Sequence, residues 1–333
     1  MGSSSWSDKT YTVRSADRRA KGTDAFDYDR AVKATGDLKV HDKMNPFGVK
    51  MRESRDSAAH PESLAIAVLL DVTGSMDVLP KIMVEKLKPL MSLLIKKGYV
   101  EHPHILFGAI GDATSDRVPL QIGQFESGIE MDDDLSRLVL EGNGGGQTKE
   151  SYELALYFMA RHTAIDCFEK RGKKGYLFVV GDEHHYPKVK SAEVKALIGD
   201  NLQSDIDFTD IADEVKEKYE VFIIRPNGSQ HYRDDGITTH WKEHFSQNVI
   251  LLDDINSVAE TIASTIGVTE GTTDFDRLKD DLLDAGAIGA VDSVTTALAT
   301  YAKRSTGKAV SKHKAKIEGK LPVAHDDVSV EVL

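Results

Sequence analysis

The sequence contains one cysteine, no long apolar run and fewer positive than negative charges. Cys167 is alone in 333 residues, so an intramolecular disulfide is excluded and a cytoplasmic location is expected. No apolar run approaches the ~20 residues that span a bilayer, and the N-terminus does not resemble a signal peptide, so we expect no membrane association. The formal net charge of −12 argues against a nucleic-acid partner, because phosphate backbones attract positive charge.

Apolar runs alternate with helical patterns through the middle of the chain. The run from Leu64 to Leu70, "LAIAVLL", is typical of a strand buried on both faces. From Leu79 to Leu94 apolar residues recur every three or four positions, which predicts a helix with a kink at Pro89. Further strands are predicted at His104 to Ile110, Tyr176 to Val180, Val221 to Ile224 and Val249 to Leu252, with an edge strand at Pro119 to Phe125. The alternation predicts an α/β fold, a doubly wound and mostly parallel sheet flanked by helices.

The alternation is confined to one part of the chain. Residues 1–60 are polar and charged with little sustained period, and predict an N-terminal extension. Residues 61–268 predict the α/β domain. Residues 269–333 predict a helical and polar C-terminal extension.

Oxygen-bearing side chains follow two of the predicted strands and lie in one glycine-rich loop. The first strand ends in Asp71-Val72-Thr73-Gly74-Ser75, and a later strand ends before Asp182. Between them the loop "GNGGGQTKES" contains Thr148. The carboxyl ends of parallel strands share one edge of a sheet, so these groups are expected to meet there. Carboxylate and hydroxyl oxygens suit a hard cation, Mg²⁺ or else Mn²⁺ or Ca²⁺.

These residues also have simpler interpretations. Asp71, Thr73, Ser75 and Thr148 could each cap a helix, a role that is compatible with metal binding. His184 and His185 follow Asp182 without a paired Cys or HExxH spacing, so we expect them to line the rim of the site.

The combined pattern resembles the von Willebrand factor A domain with its metal-ion-dependent adhesion site, of an intracellular bacterial or phage type. The resemblance covers the sequence from about Pro61 to Gly267, with Thr73 where the family more often has serine. It implies a Rossmann-like fold and a metal held directly or through water by Asp71, Thr73, Ser75, Thr148 and Asp182. A protein partner would complete the metal shell with an Asp or Glu, and some intracellular members act beside AAA+ ATPases of the MoxR kind.

Enzyme motifs are incomplete at the same residues. A haloacid-dehalogenase-type phosphatase needs a second aspartate where Thr73 stands. The glycine loop lacks the Gly-Lys-Ser/Thr of a P-loop, and Asp77 stands where a Gly-x-Ser-x-Gly hydrolase has its last glycine. We therefore expect a metal-dependent protein–protein interaction module and no enzyme. Two alternatives stay open: a structural or assembly component with a vestigial metal site, and a metal-dependent hydrolase.

Overall fold

The protein is built around a six-stranded sheet. The computed structural model describes residues 4–142, 148–228 and 230–301, apart from the side chains of Ser75 and Gln230. The strands are β1 (Leu64–Asp71), β2 (Pro103–Ile110), β3 (Leu120–Ile122), β4 (Gly175–Val180), β5 (Tyr219–Pro226) and β6 (Val249–Leu252). Their order in space is β6-β5-β4-β1-β2-β3, with β3 antiparallel to β2 and all other pairs parallel. This is the strand order of a doubly wound Rossmann-like sheet, so the predicted fold class is confirmed.

Strand β1 lies in the interior of the sheet, between β2 and β4. All eight of its residues are buried, as expected for a parallel strand covered on both faces. Asp71 pairs with Ile110 of β2, and Leu70 pairs with Val180 of β4. The chain runs from β1 outward to β3 and then returns to β4 on the other side of β1. The crevice between β1 and β4 is therefore a topological switch point, where such sheets bind ligands.

Helices cover both faces of the sheet. Helices α3, α4 and α10 pack together on one face, and α5 packs against α8 on the other. The helices are α1 (Asp8–Lys21), α2 (Asp27–Thr35), α3 (Leu79–Met91), α4 (Glu130–Ser136), α5 (Tyr152–Arg161), α6 (Asp166–Glu169), α7 (Ser191–Leu197), α8 (Phe208–Lys218), α9 (Asp235–Phe245), α10 (Val258–Glu270), α11 (Phe275–Asp284) and a last helix over residues 291–301. Pro89 lies inside α3, which continues into a π-helical turn at Ser92–Lys96. Among the helices in the described ranges, none combines the length and the apolar character needed to cross a bilayer.

Within the described ranges, three short strand pairs lie outside the main sheet. Arg52–Ser54 runs parallel to Thr163–Ile165, and Lys188–Val189 runs antiparallel to Ile206–Asp207. The third pair, Lys149–Glu150 parallel to His184–His185, joins the glycine-rich loop to the segment after β4.

Both predicted extensions contribute to the core of the domain. The buried residues outside 61–268 that belong to the same apolar core include Tyr11, Phe26, Met44, Leu278, Leu282, Val294 and Leu298. The main chain of Met44 accepts a hydrogen bond from Ile122 N of β3 at 2.7 Å. Residues 302–333 of the predicted C-terminal extension lie outside the described residues. The boundaries at 60/61 and 268/269 stay predictions, but residues on their outer sides complete this core.

Candidate metal centre at the carboxyl edge of the sheet

Asp71, the last residue of β1, is fixed by three hydrogen bonds. Its side chain is fully buried. Oδ1 accepts from Thr73 N at 2.9 Å and from Thr73 Oγ1 at 2.7 Å, and Oδ2 accepts from the Tyr152 hydroxyl at 2.7 Å. These hydrogen bonds hold the carboxyl group in one orientation.

Two glycines make this arrangement possible. Gly74 has a φ of 46°, in the left-handed region, and it begins the 3-10 turn Gly74–Val78 that follows Thr73. At Gly181, just after β4, an added Cβ would lie 2.2 Å from the Tyr152 hydroxyl and 3.0 Å from Asp71 Oδ2. A side chain at position 181 would therefore displace the tyrosine from the aspartate.

Thr73 also contacts a second carboxylate. Its Oγ1 lies 2.9 Å from Oε1 of Glu150, and Glu150 is only 3% exposed. A hydroxyl has one proton, so Thr73 donates to either Asp71 or Glu150 but not to both. Oε2 of Glu150 is buried and has no hydrogen-bond partner within the described residues. A buried carboxylate oxygen without a partner is costly, and a hard cation would satisfy it, so this donor set fits the predicted metal.

Several acids share this edge, and their burial and repulsion shift their pKa values upward. Burial, and then the charge of Asp182, raises the pKa of Asp71. Burial, and then the charge of Asp71, raises the pKa of Glu150. The same two causes raise the pKa of Glu183 to about 8. Loss of a proton is therefore unfavourable at this edge, and a bound cation would remove much of the cost.

Two buried side chains, Trp241 and Arg225, donate hydrogen bonds to the main chain of the loop after β4. Trp241 Nε1 donates to the main-chain oxygen of Glu183 at 2.8 Å. Arg225, which is fully buried, donates to the main-chain oxygen of Asp182 at 3.4 Å and to that of His231 at 2.5 Å. These contacts position the two acids of the loop from the sides of β5 and α9.

The structure brings some of the predicted ligands together and separates another. Asp71 and Thr73 are in contact, and Asp182 is buried close enough for its charge to raise the pKa of Asp71. The side chain of Ser75 lies outside the described residues. Thr148 is exposed, and its main-chain oxygen accepts from His184 N at 3.1 Å.

Glu150 and Tyr152 are the neighbours of Asp71 and Thr73 that the sequence interpretation missed. Both follow the glycine loop by a few residues, in "TKESYEL". Glu150 lies two residues before helix α5, whereas Glu153 lies in the first turn of that helix. The position of Glu150 just after the glycine-rich loop was the available signal.

Thr148 lines a separate cavity of about 710 Å³ with four histidines, which are His184, His185, His240 and His244. The ring centroids of His185 and His240 are 4.1 Å apart, and those of His184 and His240 are 4.9 Å apart. Burial lowers the pKa of all four, that of His185 to about 3, so the imidazoles are neutral at pH 7. In the part of the chain that the structure describes, no three His, Cys, Asp or Glu side chains form a metal-binding group, either here or at the sheet edge, so a metal at that edge depends on hydroxyl or water oxygens as well.

Comparison with known proteins gives similarity only at the level of solved structures. No family model and no curated protein matches the sequence. The chain is similar to proximal thread matrix protein 1 from the mussel byssus, with 10% identity and a TM-score of 0.38 over 60% of this chain and 46% of that one. It is similar to the pilus adhesin SpaC from Lactobacillus rhamnosus GG, with 10% identity and a TM-score of 0.41 over 69% of this chain and 31% of that one.

A third similar structure is the conserved hypothetical protein BatB from Bacteroides thetaiotaomicron. Its identity is 15% and its TM-score is 0.34, over 63% of this chain and 100% of that one. The chain thus spans less than half the length of the mussel and adhesin structures. Similarity at these levels establishes no family, and the fold is defined by the strand order of the sheet itself.

Proposed function

We propose that this protein is a metal-dependent protein-binding module with a core of the von Willebrand factor A type. The observation that carries the proposal is the contact between Asp71 and Thr73 at the carboxyl end of β1. It lies at the switch point of the sheet, beside the buried Asp182. The raised pKa of Asp71 supports the same reading, because buried acids that repel one another form a favourable place for a cation.

The predicted ligands of the metal are Asp71, Thr73, Ser75, Thr148 and Asp182. Mg²⁺ is the first candidate, with Mn²⁺ or Ca²⁺ as alternatives, because all the donor atoms are oxygens. A bound ion would attract a carboxylate from a second protein, and a partner's Asp or Glu is the proposed contact. An AAA+ ATPase of the MoxR kind is a candidate partner. We propose a cytoplasmic binding role rather than catalysis.

Titration calorimetry with MgCl₂ and MnCl₂ tests the metal site. The Asp71→Asn variant keeps the size of the side chain but removes its charge, and we expect metal affinity to fall at least tenfold. The control is Asp213→Asn, an exposed acid of α8, which should bind like the unmodified protein. If the unmodified protein binds neither ion, the site is vestigial and the structural or assembly role is the better interpretation.

Capture of partners from native lysate tests the binding role. A partner recovered with Mg²⁺ should be lost with EDTA, and Ser75→Ala should reproduce the effect of the chelator. Equal recovery with EDTA places recognition on another surface. Turnover of phosphoester or peptide substrates that requires the metal would instead support the hydrolase.

A further inference from the structure

We infer that Glu150 is a direct ligand of the metal at this edge, in the role that the sequence resemblance gives to Thr148. The inference depends on the proposed metal site but concerns a residue outside the predicted ligand set. It follows from three features of Glu150: its distance from Thr73, its burial and its unpartnered oxygen.

The distance fits two neighbouring ligands of one ion. Thr73 Oγ1 and Glu150 Oε1 are 2.9 Å apart. Adjacent ligands of an octahedral Mg²⁺, each about 2.1 Å from the ion, are separated by about 3.0 Å. Because the single hydroxyl proton of Thr73 also faces Asp71 Oδ1 at 2.7 Å, the contact with Glu150 needs a proton or a cation to be attractive.

Burial shows that the contact between Thr73 and Glu150 is not an ordinary surface contact. Glu150 is 3% exposed, and Oε2 has neither solvent nor a described hydrogen-bond partner. The pairing of Lys149–Glu150 with His184–His185 fixes the main-chain position of Glu150. Thr148 is two residues away and exposed, at the cavity lined by histidines.

A glutamate in this role changes what the site does. The hydroxyl of a threonine is neutral, whereas a carboxylate adds a negative charge next to the ion. The ion is then held tightly by the protein's own side chains, and it stays bound without a partner. The chemical class of the ligand is a hard divalent cation.

The experiment compares Mn²⁺ binding, measured from the electron paramagnetic resonance signal of the free ion, in four full-length proteins. These are the unmodified protein, Glu150→Gln, Glu150→Thr and Thr148→Ala, the last of which tests the ligand that the sequence resemblance implies. We expect Glu150→Gln to weaken binding at least tenfold, Glu150→Thr to weaken it less, and Thr148→Ala to stay within twofold. A tenfold loss in Thr148→Ala with unchanged binding in Glu150→Gln overturns the inference.

The second readout is the melting temperature, which can be measured also for a variant that does not bind the metal. The melting temperature of Glu150→Gln is measured first without metal. Addition of Mg²⁺ should then raise it less than in the unmodified protein. An equal Mg²⁺-induced shift in both proteins also overturns the inference. Absence of Mn²⁺ binding by the unmodified protein would instead refute the proposed function, so the two failures are distinguishable.

Discussion

Replacement of Gly181 by alanine tests how closely the Tyr152 hydroxyl and Asp71 approach the end of β4. The new Cβ would lie 2.2 Å from the hydroxyl oxygen, whereas ordinary contacts are 3.4–4 Å. The tyrosine therefore has to move by roughly 1 Å, since repulsion rises steeply inside contact distance. Its 2.7 Å hydrogen bond to Asp71 Oδ2 is then lost.

Two terms give the expected cost. Overpacking a well-packed site destabilises by about 1–3 kcal/mol. Loss of the hydrogen bond, which leaves a buried oxygen of Asp71 without this donor, adds about 1–3 kcal/mol. We therefore expect Gly181→Ala to lower the free energy of unfolding by about 2–6 kcal/mol, with no contribution from backbone strain, because Gly181 is not among the glycines with positive φ.

Urea unfolding followed by tryptophan fluorescence measures the effect. The matched control is Gly289→Ala, where the added Cβ meets nothing within 4 Å, and which should not destabilise the protein. In Gly181→Ala/Tyr152→Phe the clashing oxygen is absent and the hydrogen bond to Asp71 is lost only once, so the double variant should lose at least about 1–3 kcal/mol less than the sum of the single losses. The assigned close approach would be refuted if the losses of the two single variants simply add in the double variant. It would also be refuted if Gly181→Ala lowers the free energy of unfolding by less than about 0.5 kcal/mol.

Two further predictions concern acid stability and the ends of the domain. Burial lowers the pKa of His104 from 6.5 to about 4, so between these values the folded protein binds fewer protons than the unfolded chain. Stability should therefore fall as the pH drops through this window, by up to about 3 kcal/mol. In urea unfolding at pH 7 and pH 4.5, His104→Asn should lose less than the unmodified protein, and equal losses would contradict this. Truncation to residues 61–268 removes Arg14 and Arg18, which bind the buried Asp132, and an unpaired buried charge costs about 3–5 kcal/mol. Thermal unfolding should show a clearly lower midpoint than for residues 4–301, and equal midpoints would show that 61–268 is an independent domain.

The sequence by itself determined the sheet because the information is local. Each central strand is a continuous apolar run, and such runs become strands buried on both faces wherever helical patterns separate them. Val249–Leu252 has the predicted bounds, and the strand from Leu64 extends one residue beyond its predicted end, to Asp71. The positions of Asp71 and Asp182 followed from the same reasoning, since residues after parallel strands collect at one edge.

Tertiary structure alone decided which side chain of the glycine loop meets Thr73. Thr148 and Glu150 are two residues apart, and their placement depends on how Lys149–Glu150 pairs with His184–His185. That pairing joins distant segments and has no periodic signature. The N-terminal segment is similar: its buried side chains, such as Tyr11, Phe26 and Met44, are isolated among polar residues. A single apolar side chain shows no period, so only the surface on which it packs reveals that it belongs to the core.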